Sequence, residues 1–128
     1  MEQINKLMRQ EKKLKIALWG TGDIARIYVD AIRENADLCE IVALINHNRD
    51  RAERLKEVKN LSVPVYTSFT EMHQYAEPDA VCVLLPPYLH KDAVIEAAEH
   101  GCSVLVEKPM ANSLEECDAR IEIGRAHV

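Results

Sequence analysis

The residues with the clearest chemical potential are Lys15-Ile16-Ala17-Leu18-Trp19-Gly20-Thr21-Gly22-Asp23-Ile24-Ala25. A short apolar run passes through a glycine pair directly into a helical pattern, the arrangement that holds the pyrophosphate of a dinucleotide. Gly20 makes the tight turn and Gly22 keeps a side chain away from the approaching phosphates. Ala25 stands where a third glycine is usual and still lets the helix pack close to the strand. The free N–H groups of Thr21, Gly22, Asp23 and Ile24, at the positive end of the helix, then face the anion.

A second group is Ile45-Asn46-His47-Asn48-Arg49, at the end of the next apolar run. The adenosine ribose lies beside this point. A carboxylate here accepts from both ribose hydroxyls and selects NAD; a neutral residue with a nearby cation makes room for the 2′-phosphate of NADP. Asn46 bonds a hydroxyl or a phosphate oxygen equally well, and a guanidinium such as Arg49 suits phosphate. The residues thus favour NADP over NAD and leave both open. Asn46, His47 and Arg49 are the candidate ribose contacts; the plain alternative makes His47 a turn residue and Arg49 a solvated charge.

The rest of the chain must position these groups. Strands are expected over residues 15–19, 40–45, 63–66, 80–85 and 103–106, with helices over 23–35, 50–58, 68–75 and 90–100 between them. Pro64 suits an edge strand. Ser68 and Glu71 have capping-box spacing, Gly101 ends a helix, and a second box at Ser113 and Glu116 opens a last helix. Alternating apolar strands and helices predict an α/β fold, a Rossmann-type doubly wound parallel sheet of order 3-2-1-4-5. A ligand would bind where that order reverses. The sixth strand usual in such a sheet and a second, substrate-binding domain are not found in the sequence.

The chain has 128 residues, 48% of them hydrophobic, enough for one domain with a core. Its net charge of −5, with both signs interspersed, argues against a nucleic-acid partner. Cys39, Cys82, Cys102 and Cys117 form no Cys-x-x-Cys pair and are expected to be reduced thiols in the cytoplasm. No metal-ligand spacing, membrane span or signal peptide is expected. Residues 1–13 are a polar extension with a weak helical face at Ile4, Leu7 and Met8. The final residues Glu122 to Val128 match the translation of a common sequencing adapter in one reading frame, which ends at the adapter's stop. The dinucleotide-binding domain is therefore expected over 14–121, with Arg125 and His127 carrying no function.

Two further segments, Val83-Leu84-Leu85-Pro86-Pro87-Tyr88-Leu89-His90 and Gly101-Cys102-Ser103-Val104-Leu105-Val106-Glu107-Lys108-Pro109, follow the glycine turn in order. With it, they make the chain from about Leu14 to Ile121 resemble the N-terminal domain of the Gfo/Idh/MocA oxidoreductases. That resemblance implies hydride transfer between a nicotinamide and a sugar, polyol or related alcohol, in an enzyme that is a homo-oligomer at full length. It implies that Lys108 is the catalytic residue, beside the nicotinamide ribose and the substrate hydroxyl. Glu107 would bond near the cofactor or orient Lys108, Pro109 would follow a cis peptide bond, Leu85 and Pro86 would line the nicotinamide ribose, and His90 matches a histidine at this helix start. Pro87 replaces a frequent Asn and Asn46 a commoner Asp. Without the second domain, the chain as written binds a dinucleotide but does not turn over. A non-catalytic nucleotide sensor and a different dinucleotide-dependent reductase are the alternatives.

Overall fold

The computed structural model describes residues 13–106. Residues 1–12 and 107–128 lie outside the described part, and with them Glu107, Lys108, Pro109, Cys117, the helix expected after Ser113 and the adapter-like tail.

Five strands alternate with helices: β1 (Leu14–Trp19), α1 (Asp23–Glu34), β2 (Cys39–Ile45), α2 (Arg49–Lys59), β3 (Val65–Tyr66), α3 (Phe69–Ala76), β4 (Ala80–Val83), a 3₁₀ turn (Pro87–Leu89) continuing into α4 (His90–Glu99), and β5 (Ser103–Val106). All strand pairs are parallel and the order is β3-β2-β1-β4-β5, as the alternation predicts. Strands three and four are shorter than the apolar runs that contain them. Pro64 has no N–H to donate, so β3 starts after it, although its carbonyl still accepts from Leu44 at 3.1 Å. Beyond Val83 the chain makes one more ladder-like bond, Leu84 N–H to the Trp19 carbonyl at 2.8 Å, and then turns away.

The sheet has a core on each face, and the two-residue period of β1 divides them. Ile16 and Leu18 pack with Ala25, Val29 and Ile32 of α1 and Ala52 and Leu55 of α2. Ala17 and Trp19 face Phe69 and Met72 of α3 and Ala93, Val94 and Ala97 of α4. Trp19 stacks on Phe69 with ring centroids 4.8 Å apart.

The helix ends follow local chemistry. Asn48 Oδ1 caps α2 by accepting from the N–H groups of Asp50 (3.0 Å) and Arg51 (3.4 Å). Ser68 Oγ accepts from Glu71 N–H at 3.1 Å, as the capping-box spacing requires. After α4, Gly101 takes φ +80°. Its N–H bonds the Ala98 carbonyl at 2.9 Å and that of Cys102 bonds Ala97 at 3.1 Å, the Schellman pattern.

One irregularity bears on the site. The β1–β2 register pairs Ile16 with Ile41 but Ala17 with Ala43, so β2 carries an extra residue, Val42. This bulge reverses the alternation of β2. Ile41 and Leu44, three positions apart, both join the core under α1 and α2, while Ala43 and Ile45 face the other side.

Candidate functional site

The carboxyl ends of β1 and β4, where strand order reverses, meet backbone to backbone. Gly20 has φ +106°, which side-chain-bearing residues rarely adopt. A Cβ placed there would lie 2.8 Å from both the carbonyl carbon and the oxygen of Leu84. Gly20 N–H also bonds the Ile45 carbonyl at 2.8 Å, tying the turn to the end of β2. The glycine is thus required twice, by its φ and by the close passage of β4.

Gly22 has a different role. It precedes α1 with φ −76°, no side chain caps the helix, and a Cβ here would meet nothing within 4 Å. The first turn of α1 therefore presents backbone N–H groups to open space, and Asp23, its first residue, is exposed. Ala25 is fully buried against β1, and Ile24 packs on the same core. An anion at Gly22 meets no steric obstacle, so the residues present fit a pyrophosphate.

Thr21 and Asn46 are both buried, at 8% and 7% exposure. Asn48 N–H donates to Asn46 Oδ1 at 2.9 Å, which fixes the amide orientation. Asn46 Nδ2 then donates to Thr21 Oγ1 at 2.6 Å, and Asn46 N–H bonds the Tyr66 carbonyl at 3.0 Å. Asn46 therefore joins the glycine turn to the loop after β2, and its second amide hydrogen has no partner among the described residues. His47 and Arg49 are exposed; Arg49 is the first residue of α2.

Leu85 is half-buried on the α3–α4 side and Pro86 is exposed ahead of the 3₁₀ turn. His90 is 1% exposed, and its Nε2–H donates to the Leu85 carbonyl. That bond holds the loop leaving β4 beside Gly20, so His90 positions the Leu85–Pro86 segment. The structure brings Gly20, Thr21, Gly22, Asp23, Ile24, Asn46, Leu85, Pro86 and His90 around one crevice end; Glu107 and Lys108 lie outside the described residues.

A cleft of about 360 Å³ opens between the N-terminal ends of α1 and α2, with Thr21 and Gly22 at its edge. Arg26, Arg51 and Arg54 line it. Sequence reasoning passed over all three, because Arg26 and the α2 arginines converge only when the helices pack side by side. Among the described residues no group of three His, Cys, Asp or Glu side chains gathers as a metal site, and no helix is long and apolar enough to cross a membrane.

A family model described as an oxidoreductase family with an NAD-binding Rossmann fold matches residues 14–127. The 2,7-anhydro-N-acetylneuraminate hydratase of Mediterraneibacter gnavus is 32% identical over 91% of this chain and 30% of its own. The NADP(+)-dependent D-xylose 1-dehydrogenase of Haloarcula marismortui is 31% identical over 85% of this chain and 30% of its own. The crystal structure of the WlbA dehydrogenase of Bordetella pertussis, in complex with NADH and UDP-GlcNAcA, superposes with a TM-score of 0.83 at 26% identity, covering 91% of this chain and 35% of that one. The chain spans about a third of the length of these relatives. The family match over nearly the whole chain, joined to a glycine turn built at the point of strand reversal, means that this chain belongs to the Gfo/Idh/MocA family of oxidoreductases.

Proposed function

We propose that this chain is the cofactor-binding half of an NAD(P)-dependent oxidoreductase acting on a sugar, polyol or related alcohol. The observation that carries the reading is the contrast between the two glycines. Gly20 is locked by the Leu84 backbone, while Gly22 opens an uncapped helix end toward the crevice. The first-turn N–H groups of α1 would hold the pyrophosphate, Asn46 would face the adenosine ribose, and Leu85 and Pro86 would line the nicotinamide ribose. A bound nicotinamide would supply or accept a hydride at its C4. Lys108, by its match to the family's Glu-Lys-Pro segment, would place the substrate hydroxyl and ease loss of its proton, with Glu107 orienting it. Sugar and nucleotide-sugar ligands in the names of the relatives support the substrate class.

Trp19, the single tryptophan, adjoins Gly20 and offers the test. Its emission should be quenched by energy transfer on titration with NADH or NADPH, saturably and at one site. Absence of saturable quenching with both nucleotides would overturn the reading. In a protein carrying the family's second domain, Lys108→Ala should keep that quenching and lower kcat by roughly 10²-fold or more. Unchanged turnover would remove Lys108 from the chemistry.

A further inference from the structure

We infer that the cleft between α1 and α2 is the subsite for the 2′-phosphate of the cofactor, so that this chain selects NADP(H) through Arg26, Arg51 and Arg54. The inference rests on the dinucleotide reading above and names the form of the cofactor and the residues that choose it.

Three observations carry it. The first is charge without partners. On the same two helices Lys59 pairs with Asp30 at 2.9 Å, Lys56 with Glu53 at 3.6 Å, and Arg33 donates to the Asn60 carbonyl at 2.9 Å, while Arg49 stands exposed at the start of α2. The guanidinium groups of Arg26, Arg51 and Arg54 make no hydrogen bond or ion pair among the described residues, yet line one cleft. Among the described residues Asp23 is the one carboxylate lining it, leaving three positive charges against one negative. Three like charges set against a single carboxylate leave a net positive cleft, and a dianionic phosphate there offsets their mutual repulsion.

The second is position. The cleft begins at Thr21 and Gly22 and lies on the β2 side of the glycine turn. Thr21 is the residue bonded to Asn46 at the end of β2. A ribose resting on Asn46, with its pyrophosphate at the α1 terminus, would have its 2′ substituent directed into this space. The third is the side chain at position 46. A carboxylate there would repel a 2′-phosphate; an amide with a spare hydrogen donates to it. Arg49, the sequence-level candidate, does not line the cleft; Arg51, two residues on, does.

The test is a pair of titrations on the 128-residue chain, with NADPH and NADH as probes and Trp19 emission as readout. NADPH should bind at least about tenfold more tightly, in keeping with added charge-assisted bonds. That advantage should shrink as salt rises. Arg51→Ala and Arg26→Ala should each weaken NADPH binding far more than NADH binding, and 2′-AMP should compete better than 5′-AMP. Arg33→Ala removes a charge outside the cleft and should leave NADPH affinity unchanged. All three cleft arginines are exposed, so thermal melts of the variants should match the parent. Equal affinity for the two nucleotides, or a preference that survives loss of Arg26, Arg51 and Arg54 together, would overturn the inference while leaving the dinucleotide site standing. Failure of both nucleotides to bind would overturn the dinucleotide reading, and the subsite with it.

Discussion

Gly20→Ala tests the central packing of the site. The substitution meets two separate penalties. A Cβ-bearing residue held at φ +106° costs roughly 1–3 kcal/mol. The new methyl would also sit 2.8 Å from the Leu84 carbonyl carbon and oxygen, well inside van der Waals contact. Neither neighbour is the end of a flexible side chain. Relief requires β1 and β4 to separate, at the cost of the 2.8 Å bond from Leu84 N–H to Trp19. Forced overpacking of this kind costs about 1–3 kcal/mol. The sum is roughly 2–6 kcal/mol, a large share of the 5–15 kcal/mol of a typical domain. For a domain of this size that corresponds to a Tm lower by about 10 °C or more. The assay is thermal unfolding by far-UV circular dichroism, with Gly22→Ala as the comparison. Gly22 has φ −76° and open space around its Cβ, so its alanine variant should melt close to the parent, within about 1 kcal/mol. It should nonetheless lose dinucleotide binding, because the methyl enters the space the phosphates need. A Gly20→Ala protein that melts within a few degrees of the parent would refute the claim that β1 and β4 are locked at this point.

Asn46→Asp should fold, since a carboxylate still accepts from Asn48 N–H and from the Thr21 hydroxyl, and should shift nucleotide preference toward NADH. Asn46→Ala, by contrast, leaves buried Thr21 Oγ1 and Asn48 N–H unpaired and should cost about 1–3 kcal/mol in denaturant titrations; a cost near zero would show that water replaces the amide. Burial, reinforced by Cys39, pushes the Cys82 thiol from 9.0 up to about 11. The folded state then keeps a proton that the unfolded state releases, so this contribution is full below pH 9.0 and is lost as pH rises toward about 11. The loss amounts to roughly 3 kcal/mol. Burial and Asp79 push Cys102 the same way. Urea midpoints measured across this range should fall less steeply for Cys82→Ala than for the parent; parallel slopes would refute the assignment.

The parallel sheet, its order and the glycine turn were legible in the sequence because each rests on local signals. The apolar runs of β1, β2 and β4 can be buried only on both faces, and Gly20 and Gly22 stand at the junction where the period changes from strand to helix. Ser68 sits directly before the N–H group it caps, so its role also follows from its neighbours in the chain. The reason Gly20 must be glycine is only half local. Its turn was visible, but the Leu84 backbone, 64 residues away, decides that no methyl fits. His90 was visible as a helix-start residue; its bond to the Leu85 carbonyl shows that it holds the β4 loop.

What tertiary structure alone decided is which side chains face the glycine turn at the end of β2. Read with strict alternation from Ile41, Leu44 would leave the core under α1 and α2. The bulge at Val42 reverses that alternation, turns Leu44 into the core and carries Asn46 to the side where its amide reaches Thr21. A bulge is a compromise between the ladder with β1 and the packing of two faces, and no window of neighbouring residues encodes it. Arg26 and Arg51, distant in sequence, likewise become neighbours only because the buried faces of α1 and α2 share one core. The sequence by itself determined that a glycine turn would join β1 to α1 where the strand order reverses, since the glycine chemistry is contiguous. Packing of the two helices determined where Arg26, Arg51 and Arg54 collect, since charge on separate elements acts together only after the cores have brought those elements side by side.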